Sequence, residues 1–260
     1  MEKEFPSTYD MESSLVKQEY FDRIDYYKEI RKKYNLIDSG KEIGELFNIS
    51  LANCLNGYNH DKLNLLSKYT NIVCGLDSTN LNIIEIYKIW EKLHPDAINF
   101  HNTLSNTYYI TRLRKLIEYT IYDFHTCINQ IISIVWLIKY PTEKKFEIED
   151  IGSYLNIKSE KEKNNSKYAN ISFNYFDKYL DFIQILNDIF NSNKHSPTNN
   201  EQIILGRYEI VVSAIKMRKH NVFKDSKLFV VSFEEIVTNF NEFYKYSTNL
   251  IDTLTKENKS

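Results

Sequence analysis

The sequence predicts a mainly α protein, a helical bundle built on two long antiparallel helices, with a small β-hairpin before the C-terminal helix. The 260 residues include only 6 glycines and 4 prolines, and so few chain breakers favour long helices over a many-turned sheet. Apolar residues also recur at helical spacing over long stretches. Two short runs of β-branched and aromatic residues near the C-terminus predict the hairpin.

Residues 1–100 are predicted to form an N-terminal helical region. The stretch 14–34 carries apolar and aromatic residues near one helical face. A second helix is expected over 42–55 and a third over 80–94, where Pro95 is expected to end it.

Residues 101–260 are predicted to form the helical bundle itself. Its spine is an uninterrupted stretch from Ser105 to Tyr140, followed by Pro141, and at ~1.5 Å per residue it would form a rod of roughly 50 Å. The apolar run "CINQIISIVWLIKY" within it is too short and too interrupted to span a bilayer, which needs ~20 apolar residues. We therefore predict a buried helix and no membrane association. A short helix, "EIEDIGSYL", follows.

Three further elements complete the bundle. The second long helix is predicted from about 168 to 193, with a broad apolar face. The runs "RYEIVVSAIK" and "KLFVVSF" predict a hairpin at about 207–232. The last helix is predicted over 233–256.

Composition limits the classes of function. The formal net charge is -2, so the charge of the whole chain does not predict a polyanionic partner. A local basic patch remains an alternative. The 3 cysteines show no CxxC spacing, which indicates buried free thiols in a reducing cytoplasm and no metal or cofactor. The start, "MEKEFPSTYD", lacks the apolar segment of a secretory signal, so a cytoplasmic protein is expected.

A polar line runs along the central helix. Its members are three or four residues apart and therefore share one helical face. They are Arg114, Glu118, Tyr122, His125 and Asn129. Either this line is a solvated edge, with Arg114 and Glu118 as a surface ion pair, or it faces a cleft, with His125 and Asn129 near a site.

A second polar cluster ends the second long helix. It contains Asn187, Asn191, Asn193, Lys194, His195 and Ser196. Polar groups and cations satisfy the free carbonyls and the dipole of any helix end. That account explains Lys194, but it explains less well why His195 follows two asparagines on one side of the helix.

The stretch "FNSNKHS" resembles the N-x-x-K-H-S ending of some proteins of the HEPN superfamily, which are small helical bundles. Many of them are metal-independent ribonucleases of prokaryotic toxin and anti-phage systems. The resemblance covers roughly residues 105 to 256. In the family's usual signature, four to six residues separate an arginine from the histidine; the positions at that spacing here are Asp188, Ile189 and Phe190, and none is an arginine.

The resemblance implies a site and an activity. His195 would be the general acid or base, because an imidazole titrates near ~6.5. Asn191 and Lys194 would orient the phosphate, His125 or Asn129 would complete the cleft, and Arg114 would substitute for the missing cation. The family also implies a homodimer, with half a site from each chain.

The predicted hairpin tip carries Arg218 and Lys219, which are candidates for phosphate contacts; a solvated turn is the alternative. Two functions follow: a HEPN-like ribonuclease of a defence or toxin–antitoxin system acting on RNA, or a catalytically inactive helical protein that binds a partner or a nucleotide. An unrelated helical protein is the third alternative.

Overall fold

The computed structural model confirms a mainly α fold with a small antiparallel hairpin before the last helix. Five long or medium helices are described: α1 (Leu65–Ala97), α2 (Thr107–Lys139), α3 (Ile151–Glu162), α4 (Leu180–His195) and α5 (Phe233–Glu257). The structure describes residues 29–39, 55, 59–60, 63–97, 107–141, 148–162, 172–195, 209–216 and 227–257.

Helices α1 and α2 form an antiparallel pair. Thr79 on α1 bonds to Asp123 on α2, while Glu85, further along α1, bonds to Arg112, which comes earlier on α2. The predicted helix over 80–94 is thus the second half of a longer one. The expectation that Pro95 ends it is wrong by two residues, since α1 reaches Ala97; a proline in the last turn removes only one backbone hydrogen bond.

The second predicted long helix begins later than expected. Residues 172–176 are not helical, and a 3₁₀ turn at Asp177–Tyr179 leads into α4. Side chains from other elements bond to this segment: the Tyr246 hydroxyl donates to the Tyr175 carbonyl at 2.7 Å, and the Tyr154 hydroxyl donates to Asp177 at 2.8 Å. The Tyr246 bond occupies a backbone carbonyl that a helix would use, and the Tyr154 bond holds the Asp177 side chain; sequence periodicity reveals neither contact.

The hairpin lies where the sequence predicts it. Strand β3 (Val211–Lys216) pairs antiparallel with β4 (Lys227–Ser232), after a short pair, β1 (Asn59–His60) with β2 (Leu63–Asn64), near the start of α1. The base of β3 is buried, with Val211 and Val212 fully covered. The hairpin tip, with its basic residues, lies outside the described residues.

Helix α5 closes the bundle, and its bounds match the predicted 233–256 within one residue. The Phe124 ring of α2 stacks on Phe240 of α5 with centroids 4.0 Å apart. One hydrophobic cluster includes residues from before and after position 100. The predicted division near that position stays a prediction, because residues 98–106 lie outside the described part of the chain.

A segment without regular secondary structure, residues 35–39, is held against the bundle by two asparagines. Asn80 of α1 accepts the Ile37 N–H at 2.7 Å and donates to the Ile37 carbonyl at 3.0 Å. Asn241 of α5 accepts the Asp38 N–H at 2.9 Å. The Asn80 amide satisfies both backbone groups of the buried Ile37, which would otherwise be unpaired away from water.

By length and composition alone, α2 could cross a membrane. However, 67% of its most apolar window is buried by other parts of the protein, as in the core helix of a soluble protein. Of the three cysteines, Cys127 is buried as predicted. Cys74 is exposed, contrary to the prediction, and Cys54 lies outside the described residues.

Candidate functional site

A polar and aromatic group of side chains lies where α2 contacts α4. The His125 ring stacks on Phe190, with centroids 3.8 Å apart and planes 9° from parallel. The Tyr122 ring, 56% exposed, lies 5.9 Å from the same phenylalanine. We call Tyr122, His125, Asn129, Asn187 and Phe190 the His125 cluster. Its α2 and α4 members are three or four residues apart on each helix, so each set shares one face.

Hydrogen bonds connect this cluster to three helices. His125 Nε2 lies 3.3 Å from Asn187 Oδ1, and His125 Nδ1 lies 3.3 Å from Asn129 Nδ2. Asn129 Oδ1 in turn accepts the backbone N–H of Ile151, the first residue of α3, at 2.9 Å. Both contacts to the ring are slightly longer than most protein hydrogen bonds, which are ~2.7–3.2 Å.

The start of α3 is fixed by a reciprocal cap. The Ser153 N–H donates to Asp150 Oδ1 at 2.7 Å, and the Asp150 N–H donates to Ser153 Oγ at 3.1 Å. Two donors that a helix start leaves unpaired are thereby satisfied. The cap places the Asp150 carboxylate close enough to His125 to act on its charge.

Burial lowers the pKa of His125, and the neighbouring charges act on it in opposite directions. Loss of solvent is the largest effect and lowers its pKa below the ordinary 6.5. The bond to Asn187 and the charge of Asp150 raise the pKa, and the ammonium of Lys194 lowers it further. Because the net change is downward, the imidazole is uncharged at pH 7 and has a lone pair that can accept a proton.

The structure brings together some of the predicted residues. His125 and Asn129 of the central helix meet Asn187 of the second helix, and Lys194 lies near enough to influence the ring. The C-terminal half of the polar line therefore contacts α3 and α4; that it faces a cleft stays a prediction. Lys194 and Asn191 are themselves exposed on α4.

Other predicted residues are not part of this cluster or fall outside the description. Arg114 Nε donates to Glu118 at 2.9 Å, so the ion pair expected for the other half of the polar line is present. His195 is the last residue of α4, but its side chain lies outside the described residues. The same is true of Arg218 and Lys219.

The sequence did not identify two of these residues as candidate site residues: Phe190, a member of the His125 cluster, and Asp150, which lies beside it. Phe190 was assigned to the apolar face, although it comes four residues before Lys194 and thus lies on the same side of α4. Asp150 was placed inside a predicted helix. Its spacing to Ser153 is a capping signal that would have moved the helix start to Ile151.

Among the residues that the structure describes, no group of three or more His, Cys, Asp or Glu side chains could hold a metal ion. Comparisons with protein-family models, with curated proteins and with solved structures each found no match. The case for a function therefore depends on the chemistry of the His125 cluster and on the short motif at the end of α4.

Proposed function

We propose that this chain is a HEPN-like helical protein of a prokaryotic defence or toxin–antitoxin system that cleaves RNA without a metal ion. The observation that carries the proposal is the His125 imidazole stacked on Phe190 where α2 contacts α4; burial lowers the pKa of this ring, and the charge of Lys194 lowers it further. Metal-free RNA cleavage needs these two groups, a base and a cation. A cytoplasmic location and a homodimer are parts of the same proposal.

The proposed reaction uses the 2′-hydroxyl of the RNA as nucleophile. A neutral imidazole takes its proton, the 2′-oxygen bonds to phosphorus, and the bond from phosphorus to the 5′-oxygen breaks. The leaving 5′-oxygen takes up a proton, which gives a 2′,3′-cyclic phosphate and a 5′-hydroxyl. His125 is the proposed base, Lys194 stabilises the charge on phosphorus, and His195 is the proposed proton donor, with Asn191 orienting the phosphate.

A cleavage assay with variants tests this assignment. An oligoribonucleotide is incubated with the protein in excess chelator, and the ends of the products are identified by mass spectrometry. His125→Ala and His195→Ala should each lower the cleavage rate by about 100-fold or more, and Lys194→Ala should lower it by at least about tenfold. Lys139→Ala, an exposed lysine at the end of α2, is the matched control.

Two outcomes would contradict cleavage at this site. One is a His125→Ala protein that is folded by circular dichroism and still cleaves at the wild-type rate. The other is equal cleavage of the same sequence in DNA, which lacks the 2′-hydroxyl. Sedimentation measurements of the same samples test the homodimer.

A second candidate function, binding of RNA or a nucleotide without cleavage, has its own support. Both ring nitrogens of His125 already have amide partners, and the arginine usual in the family is replaced before His195. Exposed Tyr122 offers a face on which a base could stack. Fluorescence anisotropy with a labelled oligonucleotide should then show binding that Tyr122→Ala weakens, with no cleaved product, whereas Tyr108→Ala, an exposed tyrosine near the start of α2, should leave it unchanged.

A further inference from the structure

The backbone of α3 fixes the orientation of the Asn129 side chain. The Ile151 N–H is a donor, and only the oxygen of a carboxamide can accept from it. At 2.9 Å from Ile151 N, the accepting atom must therefore be Oδ1. The amide nitrogen, Nδ2, is then the atom 3.3 Å from His125 Nδ1.

This orientation determines which nitrogen of His125 carries the proton. Because Asn129 Nδ2 can only donate, His125 Nδ1 must accept and cannot carry a hydrogen. The proton of the neutral ring is therefore on Nε2, where Asn187 Oδ1 can accept it at 3.3 Å. One arrangement of protons satisfies all three contacts.

We propose that Asn129 is a positioning residue that holds His125 in the form protonated on Nε2 and couples protonation of the ring to the start of α3. A second proton on His125 would go to Nδ1, where two donors would then face each other. Turning the amide over would give Nδ1–H an acceptor but would set Nδ2 against the Ile151 N–H. One of the two bonds of Asn129 must therefore break when the ring is charged.

The charged groups around the ring do not remove this conflict. Asp150, at the start of α3, attracts a proton to His125, whereas Lys194 of α4 repels it. Neither replaces the lost acceptor between Asn129 and the ring. If His125 is the base of the proposed reaction, which rests on the proposed function, taking up a proton at Nδ1 breaks one of these two bonds, and the first N–H of α3 is released when the amide turns its oxygen towards the ring.

Nitrogen NMR of protein labelled in its histidine rings tests the proposal without any substrate. The His125 signals are assigned by their loss in His125→Gln. At neutral pH the wild-type ring should show a protonated Nε2 and an unprotonated Nδ1. The Ile151 amide should lose protection from hydrogen exchange over the pH range in which His125 titrates.

Asn129→Asp is the decisive variant, because a carboxylate has only acceptors. It keeps the bond from the Ile151 N–H and accepts from Nδ1–H, so the ring proton should move to Nδ1. The His125 titration midpoint should rise by about one to three pH units. Asn249→Asp, an exposed position on α5, adds the same charge and should change neither property.

Protonation of Nδ1 in the neutral wild-type ring would overturn the proposal, as would an unchanged proton position in folded Asn129→Asp. Should that variant not fold, the wild-type spectrum decides alone. If the ring is protonated on Nε2 but no RNA is cleaved, the proposed function fails while the role of Asn129 stands.

Discussion

The two sides of α2 use polar residues in different ways. On the side that faces α1, polar side chains of α2 form short hydrogen bonds with polar side chains of α1. On the side that faces α3 and α4, an imidazole and two amides meet at longer distances, beside an exposed tyrosine. The pairs on the α1 side are Thr79 with Asp123 at 2.9 Å, Lys68 with Ser133 at 2.8 Å, and Glu85 with Arg112.

The polar pairs between α1 and α2 fix the packing of these two helices. By contrast, we propose that the His125 cluster is available to a ligand. Each pair on the α1 side joins one position of α1 to one position of α2. A slip between the helices would therefore leave the partly buried groups of the Thr79–Asp123 and Lys68–Ser133 pairs without these partners. In the His125 cluster, the ring is half-buried and contacts two amides at 3.3 Å. The first side therefore favours stability, and the second is the site of the proposed reaction.

Removing one member of a matched pair should have the largest effect on stability. Thr79 is fully buried, and two acceptors lie 2.9 Å from its hydroxyl: the Gly75 carbonyl and the Asp123 carboxylate. Thr79→Val keeps the shape but loses the hydroxyl, so we expect a loss of about 1–3 kcal/mol in the free energy of unfolding. Urea denaturation measures it.

The control for that substitution is Thr253→Val. Thr253 makes the same bond to the carbonyl four residues earlier but is exposed on α5, and exposed substitutions usually change stability by less than ~0.5 kcal/mol. Equal losses for the two variants would show that the buried pair adds nothing to the α1–α2 contact.

Much of the fold could be predicted because α2, α5 and the hairpin have strong local signals. The uninterrupted apolar spacing of α2 and the β-branched runs of the hairpin are such signals. The late start of α4 could not be predicted, since hydroxyls from Tyr154 and Tyr246 hold the preceding segment. Contacts between residues so far apart in sequence do not change the spacing of apolar residues from which helices are predicted.

The candidate site could be predicted only in part. Helical spacing places His125 and Asn129 on one face of α2, but it does not say which face of α4 meets them. The partner Asn187 was seen as part of a helix end, and the Ile151 N–H is a backbone group that no residue pattern reveals. Side-chain pairing across helices depends on rotation and register, which the sequence of one helix does not contain.

On the α1 side of α2, acidification should remove the destabilising effect of the ionised Asp123 carboxylate on the folded state. Burial raises the pKa of Asp123 above its ordinary 3.8, so the ionised carboxylate destabilises the folded state at neutral pH. That cost should disappear as the pH falls towards 3.8. Asp123→Asn should therefore be more stable than wild type at pH 7, and its advantage should shrink on acidification. An advantage that is constant with pH would contradict the buried charge.

Acid should act on the His125 side in the opposite sense. The pKa of His125 is lowered by burial from 6.5, so below that pH the unfolded chain binds a proton that the folded chain does not. The stability is complete above pH 6.5 and should be lost as the pH falls through the folded pKa. His125→Gln cannot take up this proton, so its unfolding free energy should fall less between pH 7 and pH 5. Parallel curves for the two proteins would contradict the prediction.

The smallest effect is expected at the other end of the polar line. Arg114 and Glu118 are about one-third exposed, at 36% and 28%, and such pairs contribute ~0.5 kcal/mol or less. Arg114→Ala should lower stability by no more than about that amount. Because Arg114 lies about 16 Å along α2 from His125, cleavage or binding of RNA should change less than about twofold, well below the tenfold expected for Lys194→Ala. A larger loss of RNA cleavage or binding would mean that Arg114 takes the role of the arginine usual in the family, and that the site extends along the whole polar line.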